Sequence, residues 1–149
     1  MEAIIFVGIQ AVGKSYFYRE YFFNTHIRLN LDMLKTRHRE HLLLQACIMA
    51  KQPFVVDNTN VSVAERAKYI AMAKSARFSV IGYYFRANVA EALQRNNQRT
   101  GRDVVPVKGI LGTYKKLKTP CLQEGFDRLY SVDIDAANKF IVKEGADEG

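Results

Sequence analysis

Two patterns of apolar residues take turns along this chain. In one, apolar residues run consecutively and stop at glycine, proline or asparagine. In the other they return every three or four positions. The first is the signature of a parallel strand covered on both faces, and the second of an amphipathic helix. The run AIIFVGI, residues 3–9, predicts a first strand, followed by helix from Lys14 to about Phe23. HIRLN, residues 26–30, predicts a second short strand. Leu42, Leu43, Cys47 and Ala50 then fall at helical spacing within residues 36–51, and Pro53 ends that helix. FVVDN, residues 54–58, predicts a third strand. Ser62 and Glu65 form a capping box that opens a helix running to about Ala76. FSVIGYYF, residues 78–85, predicts a fourth strand, and Asn88 with Glu91 repeats the capping pattern before another helix. Pro106 suits the first position of a further helix ending near Lys118, and RLYSVDI, residues 128–134, predicts a fifth strand.

Strand and helix alternating in this way predict an α/β protein with a parallel sheet and helices on both faces. No internal repeat or linker interrupts the pattern, so residues 1–142 are expected to form one domain, with 143–149 a flexible acidic tail. In such sheets ligands bind beyond the carboxyl ends of the strands. The loops after each strand are therefore where chemistry is expected.

Composition narrows the class. With 149 residues, 48% hydrophobic and 25% charged, the chain has globular values. No apolar run approaches the roughly 20 residues of a membrane span, and no secretory pattern opens the chain. Cys47 and Cys121 lack metal-ligand spacing and read as reduced core thiols, which points to the cytoplasm. The net charge of +7 suits an anionic partner or serves solubility alone.

The most specific motif is Gly8-Ile9-Gln10-Ala11-Val12-Gly13-Lys14-Ser15, which matches GxxxxGK[ST]. It follows a predicted strand and opens a predicted helix. Its glycines let backbone N–H groups converge on phosphate oxygens, and the helix presents its positive end. Lys14 is expected to reach the β- and γ-phosphates of ATP, and Ser15 to bind Mg²⁺ through its hydroxyl.

Three further loops carry polar groups. Asp32 follows the second strand, where a carboxylate accepts an acceptor hydroxyl's proton or caps a helix. Lys35, Arg37 and Arg39 follow, with Lys35 and Arg39 on one helical face; they grip a substrate phosphate or form a solvated basic face. Asp57 ends the third strand, where an acidic residue helps hold Mg²⁺ or its waters; Asn58, Thr59 and Asn60 offer further polar groups, or the segment is simply a turn. Arg95, Arg99 and Arg102 lie near Gly101 and Pro106. Arg95 and Arg99, four apart on a helix, point the same way, either as a lid over the γ-phosphate or as cations at a helix end.

Taken together, GIQAVGKS, LNLDMLK, VVDNTN, ERAKYI, RNNQRTGRDVVP and EGFDRLY resemble the kinase module of polynucleotide 5′-kinases, over about residues 3–134. The resemblance implies an adenylate-kinase-like P-loop NTPase fold, a three-layer sandwich of about five parallel strands with a small arginine lid. It implies Lys14, Asp32 and Arg99 as catalytic residues, Asp32 being the general base. It implies ATP contacts from residues 8–15, Tyr16, Arg95 and Arg99, substrate contacts from Asp32, Lys35, Asp57 and Asn60, and Mg²⁺ held by Ser15 with Asp57 behind it. RNA or DNA 5′-hydroxyl ends, and so nucleic-acid repair, are the implied substrate and setting. The chain departs from the family where Ala11 replaces a common glycine, Tyr16 a threonine, Lys35 an arginine of the phage members and Val61 a proline. Lysine keeps the charge at position 35 but loses the bidentate fork. VDID, residues 132–135, resembles the start of the phosphatase domain of bifunctional relatives, but here Asp133 and Asp135 read as strand-end residues.

The leading expectation is transfer of the γ-phosphate of ATP to a polynucleotide 5′-hydroxyl. A kinase of a small alcohol and a non-catalytic ATP-dependent nucleic-acid-binding protein are the alternatives. The aromatic helix YFYREYFF would stack bases in the first case, or bury Phe17, Tyr21 and Phe22 in the core.

Overall fold

The computed structural model describes residues 1–86, 88–99, 101 and 104–145. Arg102 lies outside the described residues. The strands are β1 (Glu2–Val7), β2 (Ile27–Leu29), β3 (Phe54–Val56), β4 (Ser79–Phe85), β5 (Arg128–Ile134) and β6 (Phe140–Glu144). The helices are α1 (Lys14–Tyr21), α2 (Leu31–Leu34), α3 (Arg37–Ala50), α4 (Val63–Ser75), α5 (Val89–Asn97) and α6 (Val107–Lys116), with a 3₁₀ turn at Leu122–Glu124.

The strands form one sheet in the order β2-β3-β1-β4-β5-β6. All neighbours run parallel except β5 and β6, which pair antiparallel with Val132 opposite Val142. β1 is central because nothing in it is polar after Glu2, and only a strand buried on both faces tolerates that. Its pleat sorts the core into two layers. Ala3, Ile5 and Val7 face Leu44 and Cys47 of α3 and Tyr69, Ile70 and Ala73 of α4. Ile4 and Phe6 face Phe17 and Tyr18 of α1, Ala92 of α5 and Ile110 of α6. The result is the three-layer α/β sandwich expected from the alternating pattern.

The structure departs from the pattern's prediction at β6 and at Cys121. β6 adds a sixth strand, antiparallel, and takes in Lys143 and Glu144, which had read as tail. Its burial pattern is mostly exposed, so it lacks the apolar run that marked the other strands. Asp133 lies one residue before the end of β5, as expected of a strand-end residue; it pairs with Ile141 of β6 and lies 3.7 Å from Arg86. Cys47 is buried as expected, but Cys121 is exposed, because it precedes the 3₁₀ turn on the surface. Among the described residues, no helix is long and apolar enough to cross a membrane.

Candidate functional site

The two glycines of GIQAVGKS are required for different reasons. A side chain at Gly8 would meet Phe85 Cβ at 2.9 Å, since the loop leaves β1 hard against β4. Gly13 caps α1 with φ 92°, a left-handed backbone that glycine adopts without strain. Ala11 also sits at positive φ, 62°, in the left-handed region that favours glycine. Ile9, Ala11 and Val12 are buried and anchor the loop in the core, and Gln10 Nε2 donates to Thr113 Oγ1 of α6 at 3.0 Å. Lys14 folds back over the loop, its Nζ donating to the carbonyls of Gly8 at 2.9 Å and Ile9 at 2.5 Å. Burial pushes the Lys14 ammonium down to about 8; the field of Arg99 acts in the same direction, and those of Asp57 and Asp32 oppose it.

A cavity of about 410 Å³ opens beside this loop. Its walls bring together Gln10, Ala11, Gly13, Lys14, Ser15 and Tyr16, then Asp32, then Asp57, Asn58 and Thr59, then Arg99. Residues from four loops that the sequence pattern singled out separately thus share one space at the carboxyl edge of the sheet. Ile9 and Val12 contribute from beneath rather than to that wall. Tyr16 is 67% exposed, with the guanidinium of Arg19 5.6 Å from its ring centre, whereas Phe17 and Phe22 are core.

Asp57 is 2% exposed at the end of β3. Ser15 Oγ donates to its Oδ2 at 3.2 Å. Arg28 of β2 closes a triangle: its Nε donates to Asp57 Oδ2 and its Nη2 to Ser15 Oγ, both at 2.8 Å. One hydroxyl and one carboxylate, both hard oxygen donors already facing a positive charge, are chemically suited to Mg²⁺, which takes few protein ligands and keeps phosphates and waters. No group of three or more His, Cys, Asp or Glu is poised as a metal cage among the described residues. Arg28 escaped the sequence reading. Its one signal was a charged residue between Ile27 and Leu29 in a three-residue strand.

Asn30, not Asp32, caps α2: its side chain accepts from Met33 N at 3.0 Å and donates to Asp57 O at 2.6 Å. Asp32 is therefore relieved of the capping role and stands exposed on the cavity wall. Lys35 is the C-cap of α2 at φ 76°, so it does not share a helical face with Arg39, which sits on the next helix. α2 is a single turn because Thr36 restarts the chain as the N-cap of α3. Lys35 is exposed and outside the cavity wall. Asn60, expected at the substrate, is 2% exposed; its amide donates to Phe6 O at 2.8 Å, and its role here is to tie the loop to β1.

α5 ends at Asn97, so Arg95 is helical while Arg99 lies past the C-cap Gln98. The two do not point the same way. Arg99 faces the cavity of Lys14, and Arg95 lines a second cavity of about 330 Å³ with Val12, Arg86, Glu91 and Asp133. Asn96 of α5 exchanges hydrogen bonds with Val105, just before α6, at 2.6 and 2.7 Å.

A buried network behind the cavity was also not legible in the sequence. Glu40 of α3, 3% exposed, accepts from Tyr69 OH at 2.7 Å, from Asn58 Nδ2 at 2.9 Å and from Arg37 Nη1 at 3.2 Å. Asn58 Oδ1 in turn accepts from Leu31 N at 2.9 Å. Burial and the Glu40 bond push the Tyr69 phenol well above its ordinary range.

A family model described as AAA domain matches residues 34–118, more than half of the chain. The chain belongs to this family. The matched stretch begins after the phosphate-loop motif and takes in Asp57 and Arg99. Over 142 residues the chain is 28% identical to a protein of Acanthamoeba polyphaga mimivirus named as a bifunctional polynucleotide phosphatase/kinase, covering 88% of this chain and 33% of that protein. The chain thus spans about a third of the relative's length. Among solved structures, Kti12 of Chaetomium thermophilum, in complex with ADP-AlF3, superposes with a TM-score of 0.71 at 14% identity, covering 91% of this chain and 92% of that one. A gluconokinase from Sinorhizobium meliloti 1021 superposes with a TM-score of 0.64 at 17% identity, covering 89% of this chain and 82% of that one. This AAA domain has the fold of P-loop kinases.

Proposed function

We propose that this domain transfers the γ-phosphate of ATP to an alcohol, and that the alcohol is the 5′-hydroxyl of an RNA or DNA strand. The observation that carries the reading is the shared cavity: an exposed carboxylate, Asp32, faces the same space as Lys14 and Ser15. A protein that only binds ATP needs no acceptor base there. In the proposed reaction Asp32 accepts the proton of the acceptor hydroxyl as its oxygen attacks the γ-phosphorus in line, and ADP leaves. Lys14 and the loop backbone hold the β- and γ-phosphates, and Arg99 stabilises charge on the transferring group. Ser15, with Asp57 behind it, would hold the Mg²⁺ that accompanies ATP, and the ion would supply neutralising positive charge to the phosphates. Lys35 meets the acceptor phosphate beyond the cavity wall, and Tyr16 flanks the donor. The cavity that holds Arg95 adjoins Val12 of the loop and suits the rest of the nucleotide.

The net charge of +7 and the mimivirus relative's name support a polynucleotide acceptor and a role in nucleic-acid repair. Free cysteines and ATP as donor suit the cytoplasm. A second reading, a small alcohol such as a nucleoside or sugar, is favoured by the size of the Asp32 cavity, about 410 Å³, which is that of a small-molecule site. The deciding experiment offers γ-labelled ATP and Mg²⁺ to the protein with 5′-hydroxyl RNA, 5′-hydroxyl DNA, nucleosides and gluconate. Copies with a 5′-phosphate and a Lys14→Ala variant serve as controls. Label on the 5′-hydroxyl strands, lost in the variant, establishes the polynucleotide reading. Label on a small alcohol alone replaces it with the second.

A further inference from the structure

Arg28 is the least expected member of the site. It is a guanidinium rooted on β2 and bonded to both groups that the reading above gives to Mg²⁺. A serine hydroxyl has one proton and two lone pairs. The Ser15 hydroxyl donates a hydrogen bond to Asp57 Oδ2 and accepts one from Arg28 Nη2, which occupies one of the lone pairs. The second bond, from Arg28 Nε to Asp57 Oδ2, holds the guanidinium in place, and its carbon lies 6.0 Å from the ring centre of Tyr18. The side chain is nonetheless 26% exposed, so it has a side on which to move.

We infer that Arg28 is a built-in competitor of Mg²⁺ for the Ser15–Asp57 pair, and that it sets how much Mg²⁺ the domain needs to hold a nucleotide. The inference rests on the reading of this cavity as an ATP·Mg²⁺ site, whatever the acceptor. A divalent ion at Ser15 either displaces Nη2 from the hydroxyl or binds within a few ångströms of a fixed positive charge. Both raise the Mg²⁺ concentration required. The same charge reaches Ser15 of the phosphate loop at 2.8 Å, so nucleotide without metal is bound better than a site lacking the arginine would allow. A lysine here would supply the charge without a second arm.

The test is binding of a fluorescent ribose-labelled ADP, titrated at fixed protein with Mg²⁺ and separately in EDTA, for the wild type, Arg28→Gln and Arg28→Lys. Glutamine keeps a donor for buried Asp57 and removes the charge, and circular dichroism confirms that each variant folds. Arg28→Gln is expected to lower the half-saturating Mg²⁺ concentration roughly tenfold or more, and to weaken binding in EDTA by a similar factor. Arg28→Lys is expected to fall between it and the wild type. Half-saturation that is unchanged in a folded Arg28→Gln overturns the inference and leaves the ATP reading standing. A wild type that binds no nucleotide at any Mg²⁺ concentration overturns both.

Discussion

Asn58 donates its amide N–H to the buried carboxylate of Glu40 at 2.9 Å, and that bond fixes the turn carrying Asp32. The oxygen of the same amide accepts from Leu31 N, the residue before Asp32. The proposed base is thus held in place from α3 through one side chain. Asn58→Ala is expected to lower the turnover number roughly tenfold, since a small misplacement of a reacting group has effects of that size. Nucleotide KM should stay near the wild-type value. Steady-state kinetics at saturating acceptor separate the two; a variant that loses nucleotide affinity and keeps turnover would remove Asn58 from this role.

Asp32 itself carries the larger effect. Asp32→Asn cannot accept the proton, and a loss of about 10²- to 10⁴-fold in transfer is expected. Nucleotide binding should be nearly unchanged, because the phosphates are held by the loop and Lys14. Single-turnover transfer together with labelled-nucleotide titration checks this. Full activity in the variant would end the general-base assignment.

A buried structural tie lies away from the cavity. Arg66, fully buried, donates through Nε and Nη2 to both carboxylate oxygens of Glu124 at 2.8 and 3.0 Å, and through Nη1 to Asn60 O at 2.9 Å. Glu124→Ala leaves that guanidinium buried without its carboxylate partner. A loss of about 3–5 kcal/mol in unfolding free energy is expected. Disrupting the exposed pair of Lys74 and Asp127 should cost under about 1 kcal/mol from the ion pair itself. Urea denaturation distinguishes the two.

Asp127 has a separate bond that makes stability depend on acid. Its Oδ2 accepts from Val80 N at 2.8 Å, and this backbone bond holds its carboxyl below the ordinary value of 3.8, with Lys74 helping. The unfolded chain therefore takes up the proton first as pH falls. The contribution is fully present above the unfolded value and is lost as pH drops through the lower folded one. Asp127→Ala is expected to lose about 1 kcal/mol at pH 7 and to show a shallower fall in stability below pH 4. Thermal unfolding across pH 2–7 measures both. Parallel curves for the variant and the wild type would contradict it.

Local chemistry in the sequence determined much of this protein. Consecutive apolar residues made β1, β3 and β4 unmistakable, because a strand buried on both faces has no polar side to confuse the pattern. Ser62 and Asn88 marked helix starts through their own side-chain bonds to Glu65 N and Glu91 N. The loop from Gly8 to Ser15 was legible because its glycines and its lysine are needed at fixed spacing. What only the tertiary structure decided lies where distant residues meet. β6 is mostly exposed and pairs with β5, so its existence depends on β5 rather than on its own pattern. α2 ends after one turn because Thr36 caps the next helix, which separates Lys35 from Arg39. Arg28, Glu40 and Arg66 each look like surface charges in the chain. Each is fixed by a partner that only folding brings near, Asp57, Asn58 or Glu124, because a charge enters the interior only where another group meets it.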